Sequence, residues 1–226
     1  MPNNKPQISV VIASYNIYDY IVQCLESILC QSFTDIEAIC IDDCSTDDTH
    51  DILMQYEAKD DRVRVIHFDQ NQGLSIARNA GIEAAKGNYL LFLDGDDYHK
   101  DGSLQLLYDV IRANDLDLLL FDREIFYSSG TPDSINLHPN PRIKSINRIM
   151  TGAALLALQA SEKEYSPNVG LQMVKTEFLK ESGIRFFPGI IHEDELYTPL
   201  IMEKAQRAMC IDNKLCTFCI HFEFLL

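Results

Sequence analysis

The feature that most constrains this chain is an alternation, repeated along its first half, of a short apolar run with a segment whose apolar residues recur at helical spacing. Residues 8–13 are rich in β-branched side chains and end in Ser14-Tyr15-Asn16; beyond them Tyr20, Ile21, Cys24, Leu25, Ile28 and Leu29 fall on one helical face. The pattern repeats with a strand at 36–41, a polar loop from Asp42 to Asp48, and a helix marked by Ile52, Leu53 and Tyr56 whose start is signalled by Ser45, Thr46 and Asp47. A third strand at 63–68 precedes a helix over 74–85 that Gly87 is expected to stop. A nearly all-apolar strand at 89–93, a helix presenting Leu104, Leu107, Tyr108 and Ile111, and a buried strand at 116–121 follow.

Such alternation requires right-handed crossovers and predicts an α/β fold, a Rossmann-like, mostly parallel sheet flanked by helices. In sheets of this kind ligands bind at the carboxyl ends of the strands. The residues there are Tyr15 and Asn16, Asp42 and Asp43, the segment 69–73, and Asp94-Gly95-Asp96-Asp97. Acidic and polar residues gathered at those ends are the mark of a site rather than of packing. From 128 to 141 the pattern dissolves into Ser, Gly, Pro and Asn, a loop leading to a less regular second half of one domain spanning 1–226.

Charge narrows the partners. With 34 acidic against 19 basic residues the formal net charge is -15, which gives no field attracting nucleic acid or anionic lipid. A phosphate-bearing ligand on so acidic a chain needs a local cation, and the scattered Lys and Arg do not supply one alone. Seven cysteines, Cys24, Cys30, Cys40, Cys44, Cys210, Cys216 and Cys219, lie mostly within apolar periodic segments and read as reduced buried thiols. Cys216 and Cys219 lack a second pair at zinc spacing. No apolar run approaches the roughly 20 residues of a membrane span, so a cytoplasmic protein is expected.

Three clusters carry chemistry. Asp94-Gly95-Asp96-Asp97 follows a buried strand and places three carboxylates on a sharp exit turn, where repulsion is relieved by a divalent cation. Oxygen ligands suit Mg2+ or Mn2+, which keep positions open for water and substrate phosphates, so a diphosphate ligand is implied. Asp97 either ligates the metal or caps the helix that follows. In Ile41-Asp42-Asp43-Cys44-Ser45-Thr46-Asp47 a carboxylate at the strand end can accept the imide proton of a uracil or thymine ring, while capping accounts for Asp47 alone. In the run from Asn71 to Gly81, Arg78 sits in a helix of small and apolar residues, where Gly81 permits close packing. Arg78 is placed to orient Asp43, to face phosphates, or to face solvent.

Taken in order, Ser9 to Asn16, IDDCSTDDT from Ile41, NQGLSIARNAG from Asn71 and GNYLLFLDGDDY from Gly87 resemble the family-2 inverting glycosyltransferases with a GT-A fold. The resemblance implies a nucleotide-sugar donor half at about 6–127 and an acceptor half at about 142–226. It implies that Ala13 and Tyr15 line the base pocket, that Asp43 binds the uracil edge, and that Arg78 and Gly95 belong to the nucleotide-sugar site. Asp94 and Asp96 would form the D-x-D pair, Asp96 holding the metal directly and Asp94 serving metal, ribose or water. Pro188-Gly189-Ile190-Ile191-His192-Glu193-Asp194 matches the family's acidic acceptor-side motif, which implies Asp194 as general base, with Glu193 as its near-neighbour alternative.

The implied activity is inverting transfer of a hexose or N-acetylhexosamine from a UDP-sugar to a hydroxyl of a glycan or lipid-linked glycan, dependent on Mn2+ or Mg2+. The tail around Cys216 to His221 departs from relatives that carry tyrosines and an arginine there, so that cation is missing or replaced by His221. The apolar end, Phe224-Leu225-Leu226, is expected to mark a missing C-terminal segment for acceptor binding or peripheral association with the inner face of the membrane. Two readings compete. A sugar-phosphate nucleotidyltransferase would need a glycine-rich, arginine-bearing first loop where this chain has Ala13-Ser14-Tyr15-Asn16; a catalytically degenerate binding module of the same fold would bind donor without turning it over.

Overall fold

A computed structural model describes residues 5–127 and 145–220. The expected loop at 128–141, His221 and the apolar end lie outside the described residues. The elements in chain order are β1 (Ile8–Ser14), α1 (Tyr18–Leu29), β2 (Ile36–Asp42), α2 (Thr49–Lys59), β3 (Val63–His67), α3 (Leu74–Ala84), β4 (Tyr89–Asp94), β5 (Tyr98–His99), α4 (Ser103–Ala113) and β6 (Leu118–Tyr127). There follow α5 (Gly152–Glu162), β7 (Gln172–Lys175), α6 (Thr176–Ser182), α7 (Glu193–Lys204) and β8 (Ala208–Ile220).

All strands join one eight-stranded sheet in the order β3-β2-β1-β4-β7-β6-β8-β5. The first four in that order pair in parallel, as the alternation requires. Between β4 and β6 the short β7 inserts antiparallel to both, and β6 then pairs parallel with the long β8. The sheet is mostly parallel, with its antiparallel pairings confined to the second half.

Side chains alternating along each central strand feed two cores. Ile8, Val10 and Ile12 pack on one face with Ile21, Leu25 and Ile28 of α1 and Leu104, Leu107 and Ile111 of α4. Val11, Ile39, Ile41 and Phe92 pack on the other with Ala77 and Ile82 of α3 and Tyr197 and Ile201 of α7. Each such fully buried Leu or Ile contributes about 1.5–3 kcal/mol. With both faces covered, polar groups emerge at the strand ends, and there the site is built.

Two glycines hold this arrangement by what they lack. A Cβ on Gly81 would lie 2.1 Å from Val11 Cγ1, so α3 can lie against β1 only without one. Gly87 was expected to stop α3, but that helix ends at Ala84. Gly87 instead passes over the start of β1, where a Cβ would meet the Ser9 backbone nitrogen at 2.5 Å.

Of the seven cysteines, all are free; Cys24, Cys40, Cys210 and Cys216 are buried, Cys44 and Cys219 half-buried and Cys30 exposed. Cys216 and Cys219 both lie within β8 rather than at a strand-to-helix turn. Among the described residues no helix is long and apolar enough to cross a membrane.

Candidate functional site

The carboxyl ends of β1, β2 and β4 meet in one region because the three strands are adjacent and in register, Ala13 opposite both Ile41 and Asp94. A cavity of about 340 Å3 opens there, lined by Ala13, Ser14, Tyr15, Asp43, Asn71, Gly73, Leu74 and Ala77. The three residues expected to hold a base, Ala13, Tyr15 and Asp43, thus share one wall. Tyr15 is 47% exposed, leaving its ring face available for stacking. Ser14 Oγ is buried and has no hydrogen-bond partner among the described residues.

Asp43 does more than line the cavity. Its two carboxylate oxygens accept the backbone N–H groups of Gln72 at 2.7 Å and Gly73 at 2.8 Å, pinning the loop that enters α3. Gly73 adopts φ 87°, a conformation that favours glycine, to begin that helix. Each carboxylate oxygen retains a lone pair for a ligand N–H.

The acidic turn after β4 follows from the strand's apolar run. Gly95 leaves room there for Ile17, whose Cδ1 would lie 2.1 Å from an added Cβ. The three carboxylates have different surroundings. Asp94 Oδ1 accepts from Arg78 Nη2 at 2.7 Å. Asp97 Oδ1 accepts the Cys219 N–H at 2.9 Å, tying the turn to β8. Asp97 therefore does not cap α4, which begins at Ser103 behind Gly102. Asp96 has no ion pair among the described residues.

Burial and the Asp94 charge push the Asp96 carboxyl up to about 6. Burial and the charges of Asp94 and Asp96 push Asp97 to about 9, against the Cys219 N–H and Arg123. A turn that strains towards protonation is one that a divalent cation relieves. Its oxygen donors suit Mg2+ or Mn2+, so in chemistry these residues fit the implied metal, and Asp96 and Asp94 are the groups that could hold it.

The residue the sequence placed least well is Arg78. It is 4% exposed, which excludes a solvent-facing role, and the contacts that fix Asp43 come from Gln72 and Gly73 instead. Its guanidinium spans the two halves: Nη2 binds Asp94, and Nη1 binds Glu193 Oε1 at 2.5 Å on the first turn of α7. Phe186 lies under it at 5.4 Å. Burial would lower Arg78, but the charges of Asp94, Glu193 and Asp194 outweigh it and hold the guanidinium above its ordinary value.

This bridge separates Glu193 from Asp194. Glu193 is buried and committed to Arg78, whereas among the described residues no ion pair engages Asp194. Burial and the neighbouring Glu193 hold Asp194 above the usual carboxylate range, with Arg78 pulling the other way. An upward shift brings a carboxylate closer to the range in which it takes a proton efficiently. His192, which precedes Glu193 and Asp194 in the acceptor-side motif, is exposed and serves as the left-handed residue that starts α7, at φ 60°.

Sequence reasoning missed Ser14, Leu74 and Ala77 as lining residues. It also missed Arg123, a cation on β6 that stacks on Phe218 at 4.4 Å and acts electrostatically on Asp97.

Comparison with known proteins converges on one family. Residues 9–162 match the model for glycosyl transferase family 2. The putative teichuronic acid biosynthesis glycosyltransferase TuaG of Bacillus subtilis is 40% identical over 132 residues, covering 58% of this chain and 52% of that protein. The crystal structure of S. aureus TarS 1–349 in complex with UDP-GlcNAc superposes with a TM-score of 0.76 at 26% identity, covering 95% of this chain and 58% of that one. The mannosyltransferase PcManGT from Pyrobaculum calidifontis, in complex with GDP-Man and Mn2+, shares the fold at a TM-score of 0.69 and 16% identity, covering 96% of this chain and 58% of that one. The chain thus spans little more than half the length of these proteins. It belongs to glycosyl transferase family 2, and its fold is GT-A.

Proposed function

We propose that this family-2 chain transfers a hexose or N-acetylhexosamine from a UDP-sugar to a hydroxyl of a glycan or lipid-linked glycan, inverting the anomeric carbon. The observation that carries this reading is the Arg78 bridge. A single buried guanidinium joins Asp94, at the end of the strand that leads to the nucleotide cavity, to Glu193, next to Asp194. In this reading the donor's phosphate end lies one side chain from the helical turn that carries the base.

In this reading Tyr15 and Ala13 pack on the uracil ring and Asp43 accepts its imide N–H. Asp96, with Asp94, would hold Mn2+ or Mg2+, which would supply positive charge to the departing diphosphate. Arg78 keeps Asp94 and the start of α7 in fixed register. Asp194 takes the acceptor hydroxyl proton while that oxygen bonds to the anomeric carbon. The bond from that carbon to the diphosphate oxygen breaks, and its electron pair leaves with UDP. TuaG's assignment to teichuronic acid synthesis and the UDP-GlcNAc bound to TarS support this donor and acceptor class. The family match favours transfer over nucleotidyl transfer.

A thermal-shift panel of nucleoside diphosphates with and without Mn2+ tests the donor. UDP with Mn2+ is expected to raise the melting temperature most, since a ligand at 100 times its Kd adds about 2.7 kcal/mol. A shift with another nucleotide and none with UDP would overturn the role of Asp43. Turnover of no UDP-sugar by a chain that binds UDP would instead point to the degenerate binding module.

A further inference from the structure

At the ends of β2 and β3, three side chains from three elements converge on one atom. Asp42 ends β2, His67 ends β3 directly opposite it in the parallel register, and His50 lies in the first turn of α2. His50 Nδ1 and His67 Nδ1 each lie 2.8 Å from the same oxygen, Asp42 Oδ2. The two rings are 4.5 Å apart and tilted by 57°, so the nitrogens approach that oxygen from different sides. Among the described residues these three form the group whose ligand atoms all lie within 4.8 Å of one another.

We propose that Asp42, His50 and His67 form a second metal site, selective for a borderline divalent transition ion such as Zn2+. The ligand chemistry separates it from the turn at Asp94 to Asp97. Two imidazoles and one carboxylate suit zinc and its neighbours, whereas an all-carboxylate turn suits Mg2+ or Mn2+. The spacing is compatible with a shared ion: ligand atoms at about 2.1 Å from a tetrahedral Zn2+ stand roughly 3.4 Å apart, and here all lie within 4.8 Å of one another with each nitrogen 2.8 Å from the shared oxygen.

The surroundings are those of a metal site. The Asp42 side chain is fully buried, and its other oxygen, Oδ1, accepts the Ser45 N–H at 3.0 Å, which fixes the carboxylate's orientation. The two histidine side chains are 34% and 40% exposed, giving an ion a path from solvent and room for a water ligand. Two imidazole nitrogens from separate elements are thus drawn onto one buried carboxylate oxygen, the convergence a cation site needs. Binding through Nδ1 leaves each imidazole with its proton on Nε2. This site is argued from its own residues and stands apart from the donor reading.

Titration of metal-stripped protein with Zn2+ against a chromophoric chelator tests it, using wild type, His50→Gln, and the double variant His50→Ala/His67→Ala. Gln at 50 retains a hydrogen-bond donor towards Asp42 but not an imidazole. Wild type is expected to bind one Zn2+ per chain, and both variants to bind about tenfold more weakly or worse. Substituting Co2+ is expected to give visible bands without thiolate charge transfer, excluding the half-buried and exposed cysteines as ligands. Unchanged Zn2+ affinity in folded His50→Gln, thiolate bands with Co2+, or no stoichiometric binding by wild type would each overturn the proposal.

Discussion

The two halves of the sheet are built differently and meet the ligand differently. In the first, β1 to β4 pair in parallel, each strand delivers its polar residues to one edge, and Tyr15, Asp43 and Asp94 arrive there by register alone. In the second, β7 runs antiparallel to both neighbours and β6 shifts register against β8 between Leu120 and Arg123. This half reaches the site through particular contacts: the first turn of α7 through Arg78, and β8 through the Cys219 N–H on Asp97. A parallel half makes a pocket as a consequence of its topology, and a mixed half must be tied to it.

The largest effect is expected where the parallel half holds charge. Asp96→Asn removes the turn's carboxylate that, among the described residues, is tied neither to Arg78 nor to the Cys219 N–H, and is expected to lower Mn2+-dependent sugar transfer by roughly a thousandfold, since metal stabilisation of a leaving diphosphate is worth several kcal/mol. Unchanged transfer with unchanged Mn2+ dependence would move the metal elsewhere.

Next is the tie itself. Arg78→Met leaves Asp94 and Glu193 without their shared cation, and breaking a buried pair from one side costs about 3–5 kcal/mol, read by denaturant unfolding. If the halves are coupled through this residue, adding Glu193→Gln to Arg78→Met recovers part of the loss. A loss below 1 kcal/mol for Arg78→Met would mean that the halves are joined mainly by packing.

That bridge also marks how far the sequence could be read. The strands and helices of the parallel half are legible because fully buried parallel strands are continuous apolar runs, and their polar exits stand out against them. Asp43, Asp94 and Asp194 were recognised as candidates by motif, and the structure brings all three to one end of the sheet. The partners of Arg78 were not legible. Glu193 lies 115 positions away, and no local periodicity reports so distant a contact. Strand β8 was hidden because exposed Asp212, Asn213 and Lys214 interrupt its apolar pattern where its register against β6 slips. Asp42, His50 and His67 sit in separate segments, each unremarkable alone; only the parallel register brings the first and last together.

A third prediction concerns His99, buried on β5 with its ring 6.0 Å from that of Phe121. Burial lowers its imidazole from 6.5 to about 4. A depressed folded value means that the unfolded chain binds the proton first, so stability is fully present above pH 6.5 and lost as pH falls towards 4. The loss amounts to about 3 kcal/mol at 1.36 kcal/mol per pKa unit. His99→Gln should flatten the unfolding free energy in that window; an unaltered slope would show that other groups carry it.

The smallest expected effect is at the seam between β1 and the turn. Gly95→Ala pushes a methyl into Ile17 Cδ1, and overpacking of this kind costs about 1–3 kcal/mol. The same change at Gly102, whose added Cβ meets nothing within 4 Å, carries only the strain of its φ of 76°. No measurable loss for Gly95→Ala would remove close packing as the reason for Gly95.

The central claim is that a base on the mixed half acts on a donor held by the parallel half, and Asp194→Asn tests it most directly. Sugar transfer from a UDP-sugar and binding of UDP with Mn2+ are measured on the same preparation. The account predicts transfer reduced by about 10²–10⁴-fold with UDP affinity within about twofold of wild type. Full transfer by Asp194→Asn would contradict it.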